Sequence, residues 1–189
     1  MLADEMFVQP IHGKGVRVIW LKGETDMLGA LEEVESFGEF AKRNNAVAST
    51  DVKSFEHLVC TEQLSRRLGF KVGEELIRVV RVRSLNGSAR QVDHGYFLES
   101  IAKGLTPEVA SDSIYGYLEH KCGVKVMASR RTVSVELAND EDCSYLDLGK
   151  YNCVAVMESQ SYTSDGILFE VTHTRTHPEI FHYRVNSKR

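Results

Sequence analysis

A stretch of alternating residues between Ile77 and Tyr96 constrains the fold more than any other part of the chain. It reads IRVVRVRSLNGSARQVDHGY, in which valine and arginine alternate before the dipeptide Asn86-Gly87. Alternation with a period of two is typical of a strand, and Asn-Gly between two such runs is the strongest short signal for a β-hairpin. We therefore expect an antiparallel sheet that contains this hairpin.

Two arginines, Arg81 and Arg83, lie two residues apart in the first arm of the hairpin. Residues at this spacing share one face of a strand and lie about 7 Å apart along it. Their guanidinium groups repel each other unless an anion joins them. The residues alone leave two interpretations open: a solvated face of the sheet, or the floor of a site that binds a phosphate or carboxylate through bidentate hydrogen bonds.

The register of the hairpin decides which side chains face the two arginines. A loop of only two residues, Asn86-Gly87, would crowd three arginines onto one face. A loop longer by one residue places Arg81 opposite Asp93 and Arg83 opposite Gln91, which pairs opposite charges across the strands. The sequence therefore predicts a three-residue loop, with its second or third residue in a left-handed conformation.

The rest of the chain predicts short helices and further strands. Capped or amphipathic stretches predict helices after Ser36, whose side chain and Glu39 form a capping box, and over Thr61–Leu68, Asp112–Cys122 and Asp140–Leu148. Alternating or apolar stretches predict strands on both sides of Gly13 and over Thr50–Leu58, Val124–Leu137, Tyr151–Glu158, Ile167–Thr174 and Phe181–Val185. The predicted fold class is α+β, a mostly antiparallel sheet with flanking helices.

Composition and charge argue against several classes of protein. The 189 residues, 42% apolar and 26% charged, suit one globular domain with a sizeable core. A net charge of -4 argues against a chain that coats nucleic acid by charge alone. No apolar run is long enough to span a membrane, and the first residues lack the pattern of a signal peptide. The four scattered cysteines suit reduced thiols, so we expect a cytoplasmic protein.

Motifs for catalysis and metal binding are weak in this sequence. There is no GxSxG motif, and no pair of carboxylates stands out as an acid/base couple. His173 and His177 have a spacing of four, but on a strand they would lie about 13 Å apart, too far for one metal ion unless Pro178 bends the chain. We therefore expect no catalytic residue, no metal site and no cofactor.

Six stretches in a fixed order resemble the effector-binding (UTRA) domain of GntR-type bacterial transcription regulators. Within that group they are similar to the HutC subfamily, whose ligand domain shares its fold with chorismate pyruvate-lyase. The stretches are Gly73-Glu74, VVRVRSLNG, Asp93 before Tyr96-Phe97-Leu98, DSIYGYLEHKCGV, YLDL and TSDGILFEVTHTRTHPEIFHY. The resemblance covers about residues 30–185. The segments SIYGYLEHKCG and DLGKYNCVAVMES are particularly similar to trehalose-operon repressors of that subfamily.

The resemblance implies a chorismate-lyase-like fold and a division of the chain. Residues 1–20, which include PIHGKGVRVI, would be a remnant of the wing of a winged helix-turn-helix, residues 21–35 a linker, and residues 36–189 the effector-binding domain. Too few residues precede Gly13 for three helices. The partners implied are a small-molecule effector, a second copy of the chain in a homodimer, and operator DNA reached through an N-terminal domain largely absent from this chain.

The resemblance also implies the residues of a ligand site. In members that sense sugar phosphates, two arginines of the strand and a helix start bind the phosphate. Carried over, Arg81 and Arg83 would hold the phosphate, Ser113 and Tyr115 would add donors, Ser36, Phe37 and Gly38 would close the other side with backbone amides, and Asp93 and Glu170 would accept sugar hydroxyls. The expected effector is a phosphorylated sugar such as a disaccharide phosphate, and the expected regulator is a repressor.

The chain departs from the family pattern at three places. His177-Pro178-Glu179 replaces an RGD-like stretch, Thr176 replaces a preceding aromatic residue, and Gly38 replaces a hydroxyl residue. These departures concern the sugar end of the site more than the phosphate end. Two alternatives stay open: an enzyme of the lyase type, which shares this fold and also uses arginines for the carboxylates of its substrate, or the same regulator sensing a carboxylate or fatty acid. A phosphosugar requires polar groups around the arginines, whereas a fatty acid requires an apolar tunnel.

Overall fold

The computed structural model describes residues 8–19, 28–29 and 35–183 of the chain. The strands in chain order are β1 (Val8–Ile11), β2 (Gly15–Val18), β3 (Leu28–Gly29), β4 (Ala48–Val59), β5 (Glu75–Leu85), β6 (Ser88–Leu98), β7 (Val126–Leu137), β8 (Cys153–Thr163), β9 (Leu168–Thr176) and β10 (His182–Tyr183). The helices are α1 (Phe37–Arg43), α2 (Glu62–Leu68), α3 (Pro107–Ala110), α4 (Ile114–His120) and α5 (Asp140–Tyr145), and a 3₁₀ turn spans Pro178–Ile180.

A six-stranded sheet in the order β4-β5-β6-β9-β8-β7 forms the centre of the structure. Every neighbouring pair in this sheet is antiparallel. β1 and β2 form a separate antiparallel hairpin, and β10 pairs with β3 in parallel. The predicted α+β class is confirmed. Within the described residues, no helix is both long enough and apolar enough to cross a bilayer.

The hairpin of β5 and β6 has the predicted pairing but not the predicted loop. Arg81 lies opposite Asp93, and Arg83 lies opposite Gln91. The loop itself contains only Asn86-Gly87, both with positive φ, so the three-residue loop is wrong. Arg83 lies opposite Gln91 because Arg90 is an extra residue in β6. It forms a β-bulge where the register shifts after Arg83.

The helices begin at the side chains that the sequence marks as caps. Ser36 and Glu39 form the expected capping box at α1, and Thr61 caps α2. Ser113 caps α4, which begins two residues later than predicted. Residues 124–137 contain one long strand, β7. The predicted linker over residues 21–35 lies outside the described residues except for residues 28–29 and Glu35.

Apolar side chains pack on both faces of the sheet. The larger cluster joins β5, β6 and β9 to α2, α3 and α4, and includes Leu68, Val79, Phe97, Ala110, Leu118 and Phe169. The smaller cluster includes Val80, Val82, Val92, Leu146, Leu148, Val154 and Val156. Neighbouring residues Val79 and Val80 belong to different clusters, as the alternation of a strand requires. The face that carries Val79 also carries Arg81 and Arg83, which lie beyond the larger cluster.

Candidate functional site

A cavity of about 260 Å³ lies over Arg81 and Arg83. Strands of the central sheet form its floor, and the starts of α1 and α4 and residues 180–183 contribute to its walls. The structure brings all nine residues of the sequence-based hypothesis to this cavity: Ser36, Phe37, Gly38, Arg81, Arg83, Asp93, Ser113, Tyr115 and Glu170. Residues separated by up to 134 positions in the chain (Ser36 to Glu170) therefore line one space.

Both arginines bind the same oxygen of Asp93. Arg81 donates to Asp93 Oδ2 through Nε at 3.1 Å and Nη2 at 2.5 Å, and Arg83 donates to it through Nη2 at 3.1 Å. The other oxygen, Oδ1, accepts a hydrogen bond of 2.9 Å from the Thr174 hydroxyl. Arg81 and Asp93 are each 3% exposed. Two guanidinium groups therefore share one buried carboxylate, which leaves one positive charge uncompensated within this cluster.

The electrostatics of the cluster favour its ionised form. Burial opposes ionisation of Asp93, but the charges of Arg81 and Arg83 hold the pKa of its carboxyl well below the usual range. Burial, together with the charge of Arg81, lowers the pKa of Arg83 to about 10, so Arg83 is still protonated at neutral pH. The ring of Phe37 lies 5.2 Å from the Arg83 guanidinium carbon. Arg83 Nε is buried and has no hydrogen-bond acceptor among the described residues.

A second polar group joins α4 to β9 at the same cavity. The Tyr115 hydroxyl donates to Glu170 Oε2 and lies 3.1 Å from the Ser161 hydroxyl. Burial raises the pKa of Glu170, although the hydrogen bonds from Tyr115 and Ser161 oppose this shift. Burial and the neighbouring carboxylate raise the pKa of Tyr115 well above its usual value. Glu170 is therefore a buried acid whose ionised form is disfavoured by burial.

The polar groups at the start of α1 are largely engaged within the helix. Ser36 N–H donates to Glu39 Oε2 at 2.8 Å, and Ser36 Oγ accepts from Glu39 N–H at 3.3 Å. The N–H groups of Phe37 and Gly38, in the first turn, have no intrahelical acceptor because no carbonyl precedes them in the helix. At α4, Ser113 Oγ accepts from Gly116 N–H at 3.1 Å and keeps its own proton for donation.

Comparison with known proteins assigns the chain to a family. The model of the UTRA domain matches residues 43–182. The chain belongs to the UTRA domain family. It carries the effector-binding domain of a GntR-family transcriptional regulator, as the resemblance implied.

Relatives of this UTRA domain include regulators of Bacillus subtilis. The chain is 27% identical over 183 residues to the HTH-type transcriptional regulator TreR. This alignment covers 97% of this chain and 76% of TreR. It is 31% identical over 153 residues to the HTH-type transcriptional regulator YydK. This alignment covers 78% of this chain and 61% of YydK. The chain therefore spans part of each relative's length.

Solved structures confirm the fold. The crystal structure of YydK from Bacillus subtilis matches with a TM-score of 0.77 at 22% identity over 99% of this chain and 78% of that one. The effector-binding domain of the Bacillus subtilis trehalose repressor (TreR) matches with a TM-score of 0.66 at 26% identity over 75% of this chain and 98% of that one. The expected chorismate-lyase-like fold of the UTRA domain is confirmed.

Sequence reasoning missed several residues that line the cavity. They include Gln91, Arg131, Met157, Thr172, Thr174, Thr176, Phe181 and Tyr183. One signal could have found part of this set, because Glu170 and the three threonines alternate along β9, which is a central strand. Polar residues at every second position of a central strand indicate a polar cavity on one face. No comparable local signal distinguishes Arg131 from Arg130.

The two histidines with a spacing of four have different surroundings. His177 is buried, packs its ring against Tyr151 at 5.1 Å between centroids, and accepts from Glu179 N–H through Nδ1. His173 packs against His94 on the other side of the sheet from Thr172 and Thr174. Among the residues that the structure describes, no group of three His, Cys, Asp or Glu side chains is placed to hold a metal ion.

Proposed function

We propose that this UTRA domain is the effector-sensing and dimerisation module of a cytoplasmic transcriptional repressor, and that its effector is a phosphorylated sugar such as a disaccharide phosphate. The observation that carries the proposal is the buried cluster of Arg81, Arg83 and Asp93 at the cavity floor. One carboxylate serves two guanidinium groups there, and Arg83 Nε has no acceptor within the described residues. Phosphate oxygens are acceptors that such paired arginines bind through bidentate hydrogen bonds.

The role of Asp93 in this proposal differs from that of a sugar acceptor. Its two oxygens already accept hydrogen bonds from Arg81, Arg83 and Thr174. We propose that Asp93 holds both guanidinium groups in place. This order reduces the conformational entropy that they lose when the anion binds. Glu170, with Tyr115 as its neighbour, is then the acidic side chain that accepts a hydroxyl of the sugar.

The remaining lining of the cavity supports a polyol over a fatty acid. Hydroxyl side chains recur around it, from Ser49, Thr50, Ser111, Ser113, Ser159, Thr172, Thr174 and Thr176. Each can both donate and accept a hydrogen bond, which suits the hydroxyl groups of a sugar. The aromatic rings of Phe37, Phe40, Phe181 and Tyr183 add apolar surface to this hydroxyl-rich lining. A carboxylate effector shares the arginine chemistry and is therefore included in the test below.

The effector would act by favouring one arrangement of the dimer. A ligand shifts a conformational equilibrium only by the difference between its affinities for the two states. We expect the phosphosugar to favour the arrangement in which the DNA-binding domains no longer fit the operator. Binding of the phosphosugar would then weaken binding to operator DNA. The relatives named above are regulators, and the proposal includes no catalytic step.

Thermal unfolding in the presence of candidate ligands tests the effector class. At 100 times its dissociation constant, a ligand that binds only the folded state stabilises it by about 2.7 kcal/mol. We expect disaccharide phosphates and hexose phosphates to raise the melting temperature, and the unphosphorylated sugars, inorganic phosphate alone and carboxylates to raise it less. Equal stabilisation by free sugars would contradict the role of the arginines, and stabilisation by carboxylates alone would favour the alternative effector.

Two arginines of strand β5 provide a matched pair of variants. Arg83→Gln removes a guanidinium group from the cavity, and Arg81 still holds Asp93. Arg78→Gln makes the same change on the opposite face of the strand, where Arg78 pairs with Glu56 at the surface. We expect Arg83→Gln to abolish the stabilisation by phosphosugar and Arg78→Gln to preserve it. Loss of the response in both variants would contradict a local role for Arg83.

A further inference from the structure

Glu170 is a buried carboxyl group that lines the cavity without a cationic partner among the described residues. The residue is 4% exposed, and its hydrogen-bond partners are the hydroxyl groups of Tyr115 on α4 and Ser161 on β8. Asp93, by contrast, has two guanidinium partners on the same cavity floor. An ionised carboxylate that is buried without a cation is unfavourable, so the charge of Glu170 is less compensated than that of Asp93.

The register of the sheet places Glu170 and the arginine cluster on the same face. Thr174 lies opposite Asp93, and Glu170 precedes Thr174 by four residues on β9, which is about 13 Å along the strand. Thr172 lies between them on that face and also lines the cavity. A phosphosugar whose phosphate reaches the arginines would therefore extend over Thr172 towards Glu170 within the same cavity.

The charges of the arginine cluster act on Glu170 across this distance. Burial is the main cause that raises the pKa of its carboxyl; among the charges, that of Asp93 raises the pKa and that of Arg81 lowers it. A further negative charge in the same low-dielectric space disfavours the ionised carboxylate still more. A phosphate dianion held by the arginines supplies such a charge.

Several other titratable groups face the same cavity from the strands and helices packed around Glu170. Its partner across β6, Phe97, carries no charge, and its partner across β8 is Ser161. The charged side chains that line the cavity together with Glu170 are Glu35, Arg81, Arg83, Asp93, Asp112 and Arg131. Burial raises the pKa of both Tyr115 and Tyr183, so neither tyrosine carries a charge at about pH 8.

We propose that binding of a phosphosugar dianion in this cavity is coupled to the uptake of a proton by Glu170. This inference rests on the proposed effector class and adds a pH dependence to the same site. With Glu170 ionised, its charge and those of Asp93, Arg81 and Arg83 sum to zero. A dianion then leaves two uncompensated negative charges in a buried space, and a proton on Glu170 removes one of them.

The protonated carboxyl of Glu170 keeps its role as a hydrogen-bonding partner of the sugar. An ionised carboxylate only accepts hydrogen bonds, whereas a protonated carboxyl accepts through one oxygen and donates through the other. The Tyr115 hydroxyl can go on donating to Oε2, and a proton on Oε1 is then free to donate to the sugar. A sugar hydroxyl can serve either as donor or as acceptor, so proton uptake removes no hydrogen bond from the site.

Calorimetric titration in buffers of different ionisation enthalpy counts the protons exchanged on binding. The probes are glucose 6-phosphate and a disaccharide 6-phosphate, at about pH 7.5 to 8.5. A phosphate monoester has its second pKa at about 6, so both probes are already dianions in this range. Burial and the charge of Arg81 lower the pKa of Arg83 to about 10, so Arg83 stays protonated there. We expect uptake of up to one proton per chain, with affinity that falls by up to about tenfold per unit rise in pH.

Three variants assign the proton to a residue. Glu170→Gln has a side chain of similar shape that takes up no proton, so we expect its binding to exchange none. Glu56→Gln changes a surface carboxyl that pairs with Arg78 on the other face of the sheet, and we expect it to keep the full uptake. Tyr115→Phe removes a hydrogen bond that favours the ionised form of Glu170, so the pH of maximal uptake should move upward.

The possible outcomes separate this inference from the effector proposal. Binding without proton uptake in the parent would overturn the coupling and leave the effector class intact. Equal uptake in the parent and in Glu170→Gln would show that another group takes the proton. If Glu170→Gln fails to bind, an unchanged pH of maximal uptake in Tyr115→Phe would overturn the role of Glu170. Absence of binding by both phosphosugars would contradict the effector proposal itself and the inference with it.

Discussion

At the scale of single residues, Asp93 shows how one side chain organises the candidate site. The sequence indicated that it faces the arginines, and the pairing with Arg81 is confirmed. Its hydrogen bonds to Arg81, Arg83 and Thr174 occupy both oxygens. A buried carboxylate between two guanidinium groups stabilises their proximity, which like charges would otherwise oppose. Asp93 is thus better suited to positioning the arginines than to contacting a sugar.

Glu170 gives a prediction about pH. Its pKa is raised in the folded state by burial, so its ionisation lowers stability as pH rises through that folded pKa. Below the pKa of the unfolded chain, about 4.3, Glu170 is protonated in both states and its contribution is fully present. We expect Glu170→Gln to have little effect on the free energy of unfolding near pH 4 and to raise it relative to the parent at pH 8. Urea unfolding at both pH values measures this difference.

Glu56→Gln serves as a control of opposite sign. A hydrogen bond from Ser54 and the charge of Arg78 lower the pKa of Glu56, so its contribution is present above the unfolded pKa and is lost as pH falls. We expect Glu56→Gln to lower the free energy of unfolding at pH 8. The effect should be small because the residue is at the surface. A higher free energy of unfolding at pH 8 for Glu170→Gln, but not for Glu56→Gln, would support a raised pKa for Glu170. No dependence of the Glu170→Gln effect on pH contradicts it.

At the scale of elements, the hairpin of β5 and β6 shows what local sequence can predict. Alternation predicted both strands, and charge pairing predicted that Arg81 faces Asp93. The bulge at Arg90 was not predictable in this way, because a longer loop and a bulge produce the same offset. Arg131 and Met157 reach the cavity only through the order of the strands in the sheet, which is a tertiary property. Only the family resemblance assigned the starts of α1 and α4 to the predicted site.

The start of α1 provides a prediction at the scale of one helix. Ser36→Ala removes the capping box and should cost about 1 kcal/mol of helix stability. Because α1 lines the cavity, we expect the same loss to appear as about fivefold weaker binding of phosphosugar. Thr61→Ala removes the cap of α2, which contributes no residue to the cavity lining, and should leave binding unchanged. Titration calorimetry measures both; equal binding by the two variants would contradict a role for α1.

At the scale of the whole molecule, the two faces of the sheet carry two buried ion clusters with different properties. On the face opposite the cavity, Arg175 donates from all three guanidinium nitrogens: to Asp142, to Glu136 and to the carbonyl of Leu137. Asp142 is fully buried and belongs to the capping box of α5. This cluster fastens α5 to β9 and to the end of β7. Arg83, by contrast, keeps a nitrogen without an acceptor among the described residues. A saturated cluster suits structure, and an unsaturated one suits binding.

This contrast leads to a prediction in which stability and binding separate. Arg175→Met leaves Asp142 buried without its partner, and removal of one member of a buried ion pair destabilises by about 3–5 kcal/mol. Effector affinity should stay within about twofold of the parent, because Arg175 lies on the face away from the cavity, whereas Arg83→Gln should lose affinity. Arg78→Met, at the surface of the same opposite face, should change neither property. Urea unfolding and calorimetric titration of each variant measure the two properties. A loss of affinity in Arg175→Met equal to that in Arg83→Gln would show that the two clusters are coupled through the sheet.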